Sequence, residues 1–292
     1  MSREPRLIAK HRLAFAAIVP VLLVISLASQ PPLIWQLIAL GPLVAVLGLP
    51  HGALDHRVAS ALWPLVKLRD HAIFIGGYLG LAIVVLVLWT LQPRVALAAF
   101  LIYSALHFAD DWRAELGLWQ SLPLGVSVIA FPALVFQSDV EMLFGLLTSA
   151  PTAIQFANLL NKSAIPAIIV SAICLISNFR RAPWVVVEYA LLVATALVTP
   201  PLIYFVIYFC GLHSPRHFLL TADQLGLTPA QGMRAASPIM MATLIFSAFG
   251  AVAVHTFTPV YETATLQLVF IGLAAVTVPH MLLTAVFKSV HR

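Results

Sequence analysis

The sequence predicts an all-α, polytopic integral membrane bundle of about 8–10 transmembrane helices, folded as a single domain over residues 1–292. Three observations predict it. First, 61% of the residues are hydrophobic and 9% charged, with a mean hydropathy of +1.00; soluble domains carry roughly 25% charged residues, and so little polar surface could not cover a globule of this size. Second, apolar runs of about 16–22 residues recur along the chain, the length a bilayer-crossing helix needs. Third, the period-two alternation of a membrane barrel is absent.

The elements follow in order. Leu13–Ala28 comes after Arg3, Arg6, Lys10 and Arg12 and superficially resembles a signal peptide, but no small-residue cleavage site follows, so it is read as a retained first helix. After Ser29-Gln30-Pro31-Pro32, the second helix runs over Leu33–Leu49 and stops at Pro50 and Gly52. Ala72–Leu91, Val95–Phe108 and Leu122–Phe136 are the next three apolar runs. The stretch from Glu141 to Leu160 lacks a clean span and reads as a re-entrant or interfacial piece. Ser163–Ser177, Trp184–Val198, Pro201–Leu212, Pro238–His255 and Ala264–Phe287 complete ten segments. No internal repeat or low-complexity linker divides them.

The net charge of +5 is modest, and its basic residues sit mostly in short loops. They therefore report topology rather than a nucleic-acid surface. With the basic N-terminus in the cytoplasm, Arg57, Lys67, Arg69, Arg113, Arg180, Arg181, Arg216, Arg234, Lys288 and Arg292 all fall inside; Arg94 and Lys162 are the exceptions. The expected location is the cell (inner) membrane, multi-pass, with both termini cytoplasmic. Cys174 and Cys210 lie in apolar segments without metal-motif spacing and read as small buried hydrophobes.

Ten histidines are present, and six of them form four clusters in or beside apolar segments: Pro50-His51-Gly52-Ala53-Leu54-Asp55-His56, Leu106-His107-Phe108, His213-Ser214-Pro215-Arg216-His217, and Pro279-His280. Ionisable groups at membrane depth are costly and mark function. The second, fourth, eighth and tenth helices all run from outside to inside, which brings the four clusters to the cytoplasmic half at similar depth. One polyhistidine metal site is therefore geometrically allowed.

His213 and His217, four residues apart, share a helix face, and Pro215 between them should distort the helix near Gly211. His51, His107, His213 and His217 are the expected ligands. His56 and His280 are candidates for a further ligand or a supporting donor, with Asp55, Asp110 and Asp111 as carboxylate acceptors for imidazole N–H groups. His11, His71, His255 and His291 lie near loops or termini and are assigned no role. Neutral imidazoles suit iron, zinc, copper and nickel; four of them would leave an iron(II) with open positions, as dioxygen chemistry requires. Tyr103, Phe108, Trp112, Tyr204, Tyr208, Phe209 and Phe218 flank the clusters and are candidates for the wall of a substrate tunnel open to the bilayer.

These four clusters, in this order, resemble the bacteriorhodopsin-related-protein (Brp/Blh) family of membrane β-carotene 15,15′-dioxygenases. The resemblance implies a non-haem Fe(2+) cofactor, dioxygen as co-substrate, and a β-carotene or related carotenoid drawn from the lipid membrane and split into two retinals. It implies histidine ligands at His51, His107, His213 and His217. A retinal-binding opsin would be the natural acceptor of the product; no nucleic-acid partner is expected.

Three other readings compete. A membrane di-iron desaturase or hydroxylase needs about eight histidines in paired clusters. The plausible set here has at most six, with one pair spaced by four. A proton or metal transporter fits poorly with clusters on one side and no repeat. An assembly partner for a retinal protein would carry only structural histidines.

Overall fold

The computed structural model describes residues 4–258 and 260–290. All ten predicted segments are helical. The helices are α1 (Glu4–Ala28), α2 (Leu33–Leu43), α3 (Asp55–Leu62), α4 (Leu68–Leu91), α5 (Pro93–Leu116), α6 (Leu118–Val135), α7 (Gln137–Leu147), α8 (Ala150–Ser177), α9 (Pro183–Val198), α10 (Pro201–Val206), α11 (Ser214–Gln224), α12 (Pro229–Phe257) and α13 (Tyr261–Val290). Seven of the described helices are long and apolar enough to cross a membrane, and α9 is a shorter apolar helix. The protein is an all-α polytopic membrane bundle. Its outward side chains are apolar, as on α4 and α12 with Ile83, Val84, Phe246 and Val252 exposed; lipid tails solvate such faces.

Several starts carry a proline in the first turn, where its missing N–H costs nothing, as at Pro93, Pro183, Pro201 and Pro229. Thr228 and Gln231 form a reciprocal capping box on α12. Between α5 and α6 the chain reverses through Gly117 alone, at φ 80°, a conformation only glycine adopts without strain.

The stretch Glu141–Leu160 differs from expectation. Part of it is the short helix α7, and from Ala150 it is already α8, a 28-residue helix. Just beyond it, Asn161 and Lys162 interrupt the hydropathy of α8, but Asn161 donates to the Ala133 carbonyl on α6 and so stays within the bundle.

Two helices are locally unwound. Between α2 and α3 lie a π turn, Val44–Gly48, and a 3₁₀ stretch, Leu49–Leu54; between α10 and α11 lies a π segment, Ile207–His213. Pro215 supplies the reason for the second. It cannot donate to the Gly211 carbonyl four residues back, so the helix widens there, and that carbonyl accepts 2.9 Å from His11 Nε2 on α1. His11 thus lies inside the bundle and not in a loop. The sequence pattern misplaces it because its bond partner is 200 residues away.

α5 and α6 pack backbone to backbone at Gly125. A Cβ there would sit 2.2 Å from the Ala105 carbonyl oxygen and 2.8 Å from the Ala109 nitrogen. Small residues permit this approach in membrane bundles, and it fixes the height of His107 on α5. Gly125→Val is expected to destabilise the protein by about 3 kcal/mol, since the overlap is with backbone that cannot rotate away. Gly41→Ala, with nothing within 4 Å, should leave stability unchanged or slightly raised. Thermal unfolding of both variants in detergent checks this.

Candidate metal centre

The unwound turns and three α-helices bring five histidines together. His51 comes from the 3₁₀ stretch, His107 from α5, His213 from the π segment, His217 from α11 and His280 from α13. Ring centroids are 4.6 Å apart for His107–His213 and for His213–His217, and 5.0 Å for His51–His280. Two overlapping triads have ligand atoms within 4.8 Å of one another: His51, His107 and His280, and His107, His213 and His217. His213, His107 and His280 are buried.

The hydrogen bonds set the tautomers. His213 Nδ1 donates to Asp111, with oxygens at 3.1 and 3.2 Å. His280 Nδ1 donates to Asp55 Oδ1 at 2.8 Å. His51 Nδ1 donates to the Gly48 carbonyl, and Ser214 Oγ, itself donating to the carbonyls of Leu47 and Gly48, lies 3.1 Å from it. In each case Nδ1 carries the proton and Nε2 presents a lone pair to the cluster.

His213 Nε2 and His107 Nε2 face each other at 3.1 Å, and His280 Nε2 is buried with no hydrogen-bond partner. Without a metal, His107 Nε2–H can donate to His213 Nε2 across that distance; with both nitrogens unprotonated, the pair is close enough to share one cation. Phe209 wedges the rings, edge-on to His51 at 5.7 Å and stacked on His213 at 5.6 Å.

Beside the histidines lies a buried polar layer. Tyr208 Oη donates to Asp111 Oδ2 at 2.7 Å. Arg216 donates to the Asp111 backbone carbonyl and pairs with Glu188, which also accepts from Trp112 Nε1 at 3.0 Å and meets Arg12 Nε at 3.1 Å. Arg12 pairs in turn with Glu115. The two arginines balance the two glutamates, leaving Asp55 and Asp111 as unbalanced charges against the imidazoles. A divalent cation would offset both, so this donor set fits iron(II) as well as other borderline divalent metals.

The other predicted residues divide. Asp55 and Asp111 bind imidazoles, whereas Asp110 pairs with Arg113 and Lys288 outside the cluster. His56 lies outside both triads, with Nδ1 donating to the Ala53 carbonyl. Phe108, Tyr204 and Tyr208 line an apolar cleft between α5, α6, α7, α10 and α13, whose inner wall, Phe108 and Tyr208, touches His213.

Trp112, Phe209, Phe218 and Tyr103 lie off this cleft. Trp112 turns to Glu188 because its indole N–H needs an acceptor, Phe209 packs on the histidines, Phe218 packs with Ala53, Leu54, Ala222 and Ala236, and Tyr103 donates to the Val278 carbonyl. His71 and His255 are exposed, and His291 lies outside the described residues.

Arg216 is 2% exposed and Glu188 1% exposed, so Arg216 is an internal counter-ion and not the loop charge the topology reading took it for. Sequence reasoning missed Glu188, Arg12, Ser214 and Tyr78. A lone glutamate inside the apolar run Trp184–Val198 was the available signal. Glu188→Ala would leave two buried arginines short of a partner and is expected to cost about 3–5 kcal/mol, read as a lowered unfolding midpoint in detergent.

The family model described as beta-carotene 15,15′-dioxygenase matches residues 42–288, a range that contains all five histidines. A protein named beta-carotene 15,15′-dioxygenase from uncultured marine bacterium 66A03 is 32% identical over 250 residues, covering 82% of this chain and 90% of that protein. No solved structure gives a significant match. On the extent of both matches, the chain belongs to the β-carotene 15,15′-dioxygenase family.

Proposed function

We propose that this protein splits β-carotene at its central 15,15′ double bond with dioxygen, giving two molecules of retinal, at an iron(II) centre held by His51, His107, His213 and His217. The observation that carries this reading is the convergence of inward-facing imidazole lone pairs at the inner end of an apolar cleft, in a chain of this family. The stoichiometry balances: one carbon–carbon double bond is broken, and the two oxygen atoms form the two aldehyde carbonyls. Bound iron(II) supplies the activation of dioxygen that a spin-forbidden reaction with a polyene requires.

The chain's own residues do the rest. Asp111 holds the Nδ1 proton of His213, and Tyr208 holds Asp111, so the ring cannot flip. The Gly48 carbonyl does the same for His51. The cleft binds the polyene by burying its apolar length, orients it, and excludes water.

A second apolar cleft lies between α4 and α13, lined by Phe74, Tyr78 and Pro279 among others. Tyr78 Oη donates to Asp55, which holds His280. One cleft thus abuts the His213 flank of the cluster and the other the His280 flank. That arrangement supports a substrate whose reacting bond lies at its middle, with one half in each cleft. No acid–base side chain is required. The charge distribution supports a cytoplasmic placement of both termini and of the centre in the inner membrane, and an apolar aldehyde leaving into the bilayer suits a retinal-binding opsin as acceptor.

Purified protein loaded anaerobically with iron(II), then given β-carotene and air, is expected to yield retinal as sole product, at about two per β-carotene consumed as the one-bond stoichiometry requires. Unchanged β-carotene from folded, iron-loaded protein would overturn the reading. His213→Ala should abolish cleavage, while His255→Ala, at an exposed position on α12, should not. Because the triads share His107, a two-metal arrangement is the alternative; metal analysis is expected to give one iron per chain, and two would favour the alternative.

A further inference from the structure

The four-histidine centre proposed above leaves one buried imidazole unused. His280 is 4% exposed, on α13 directly after Pro279. Its Nδ1 donates to Asp55 Oδ1 at 2.8 Å, and Asp55 Oδ2 accepts from Tyr78 Oη at 2.8 Å. Tyr78 also donates to the Val276 carbonyl at 3.2 Å, one turn before Pro279. Tyr78, Asp55 and His280 therefore repeat, on the other flank of the cluster, the order of Tyr208, Asp111 and His213.

His280 Nε2 is buried and has no hydrogen-bond partner. Among protein groups alone, both protonation states leave this atom unsatisfied. A neutral ring with its proton on Nδ1 would bury an unpaired lone pair; an imidazolium paired with Asp55 would bury an N–H donor with no acceptor. Either leaves a buried polar atom without the partner that water would give it in the unfolded chain. What Nε2 faces is the rest of the cluster. The ligand atoms of His51, His107 and His280 lie within 4.8 Å of one another, and the rings of His51 and His107 lie 5.0 and 5.7 Å from that of His280.

We infer that His280 is a fifth metal-binding residue of the centre, and that Asp55 and Tyr78 are its positioning residues. The inference rests on the metal reading of the other four histidines and adds a ligand to it. It also assigns Asp55 and Asp111 matching roles, each neutralising charge on one side of a dication.

Cobalt(II) serves as a redox-inert probe. Titration of the detergent-solubilised protein, followed by visible absorption, gives its dissociation constant without any assay of cleavage. His280→Ala is expected to weaken cobalt binding at least tenfold, with added imidazole restoring much of it. A residue that only fills space gains nothing from imidazole. Asp55→Asn, which keeps shape and is the decisive variant if His280→Ala does not fold, should weaken binding about 10–100-fold. Tyr103→Phe, which removes a different bond to α13 at Val278, should leave it unchanged. Wild-type protein that takes up no cobalt would refute the metal reading of the whole site. Wild-type protein that binds cobalt, with His280→Ala and Asp55→Asn binding equally well, would refute the assignment of His280 alone.

Discussion

Buried imidazoles can serve one metal only when each is held as a neutral base with a lone pair directed at the site and the charge of the ion is matched by nearby acids. The structure meets the first half of that condition with protein groups alone. Asp111, Asp55 and the Gly48 carbonyl each take an Nδ1 proton, which commits three Nε2 atoms to the centre. The second half falls to Asp55 and Asp111, whose two negative charges would match a divalent cation. Replacing a buried carboxylate by an apolar residue would both free a ring and unbalance the charge, so these acids and the histidines form one unit.

Much of the remaining architecture follows from holding that unit. Histidines from four distant segments must reach one height, and regular α-helices alone do not bring them there. Proline at 50 and 215 breaks the helical ladder near His51 and His213, and the π turns absorb the change. Ser214 ties the two unwound turns together, and α1 closes over them through His11 and Arg12. Gly125 lets α6 approach α5 beneath His107. The local departures from regular structure therefore cluster at the site, as expected where function competes with helix geometry.

The bundle was legible from composition, because nothing but lipid can solvate so much apolar surface. The histidines were legible from their isolation in apolar runs, and the positive-inside pattern put their clusters at one depth without using them. Pro215 correctly announced a distortion near Gly211. What the sequence hid were long-range pairings between charges. Arg216 reads as a loop cation because its neighbours are polar, yet its partner Glu188 is 28 residues away on another helix. Aromatic side chains were the weakest signal. Proximity to a cluster in sequence says nothing of which way a ring points, and Trp112, Phe209 and Phe218 all serve packing or hydrogen bonding instead of the cleft.

Iron K-edge X-ray absorption on protein loaded with one equivalent of iron(II) tests the central claim most directly, because it reads the atoms around the metal. The account predicts a nitrogen-rich first shell with strong outer-shell scattering from several imidazoles, much reduced in His107→Ala, the residue common to both triads. A spectrum of oxygen ligands without imidazole scattering, the same in both proteins, would contradict it.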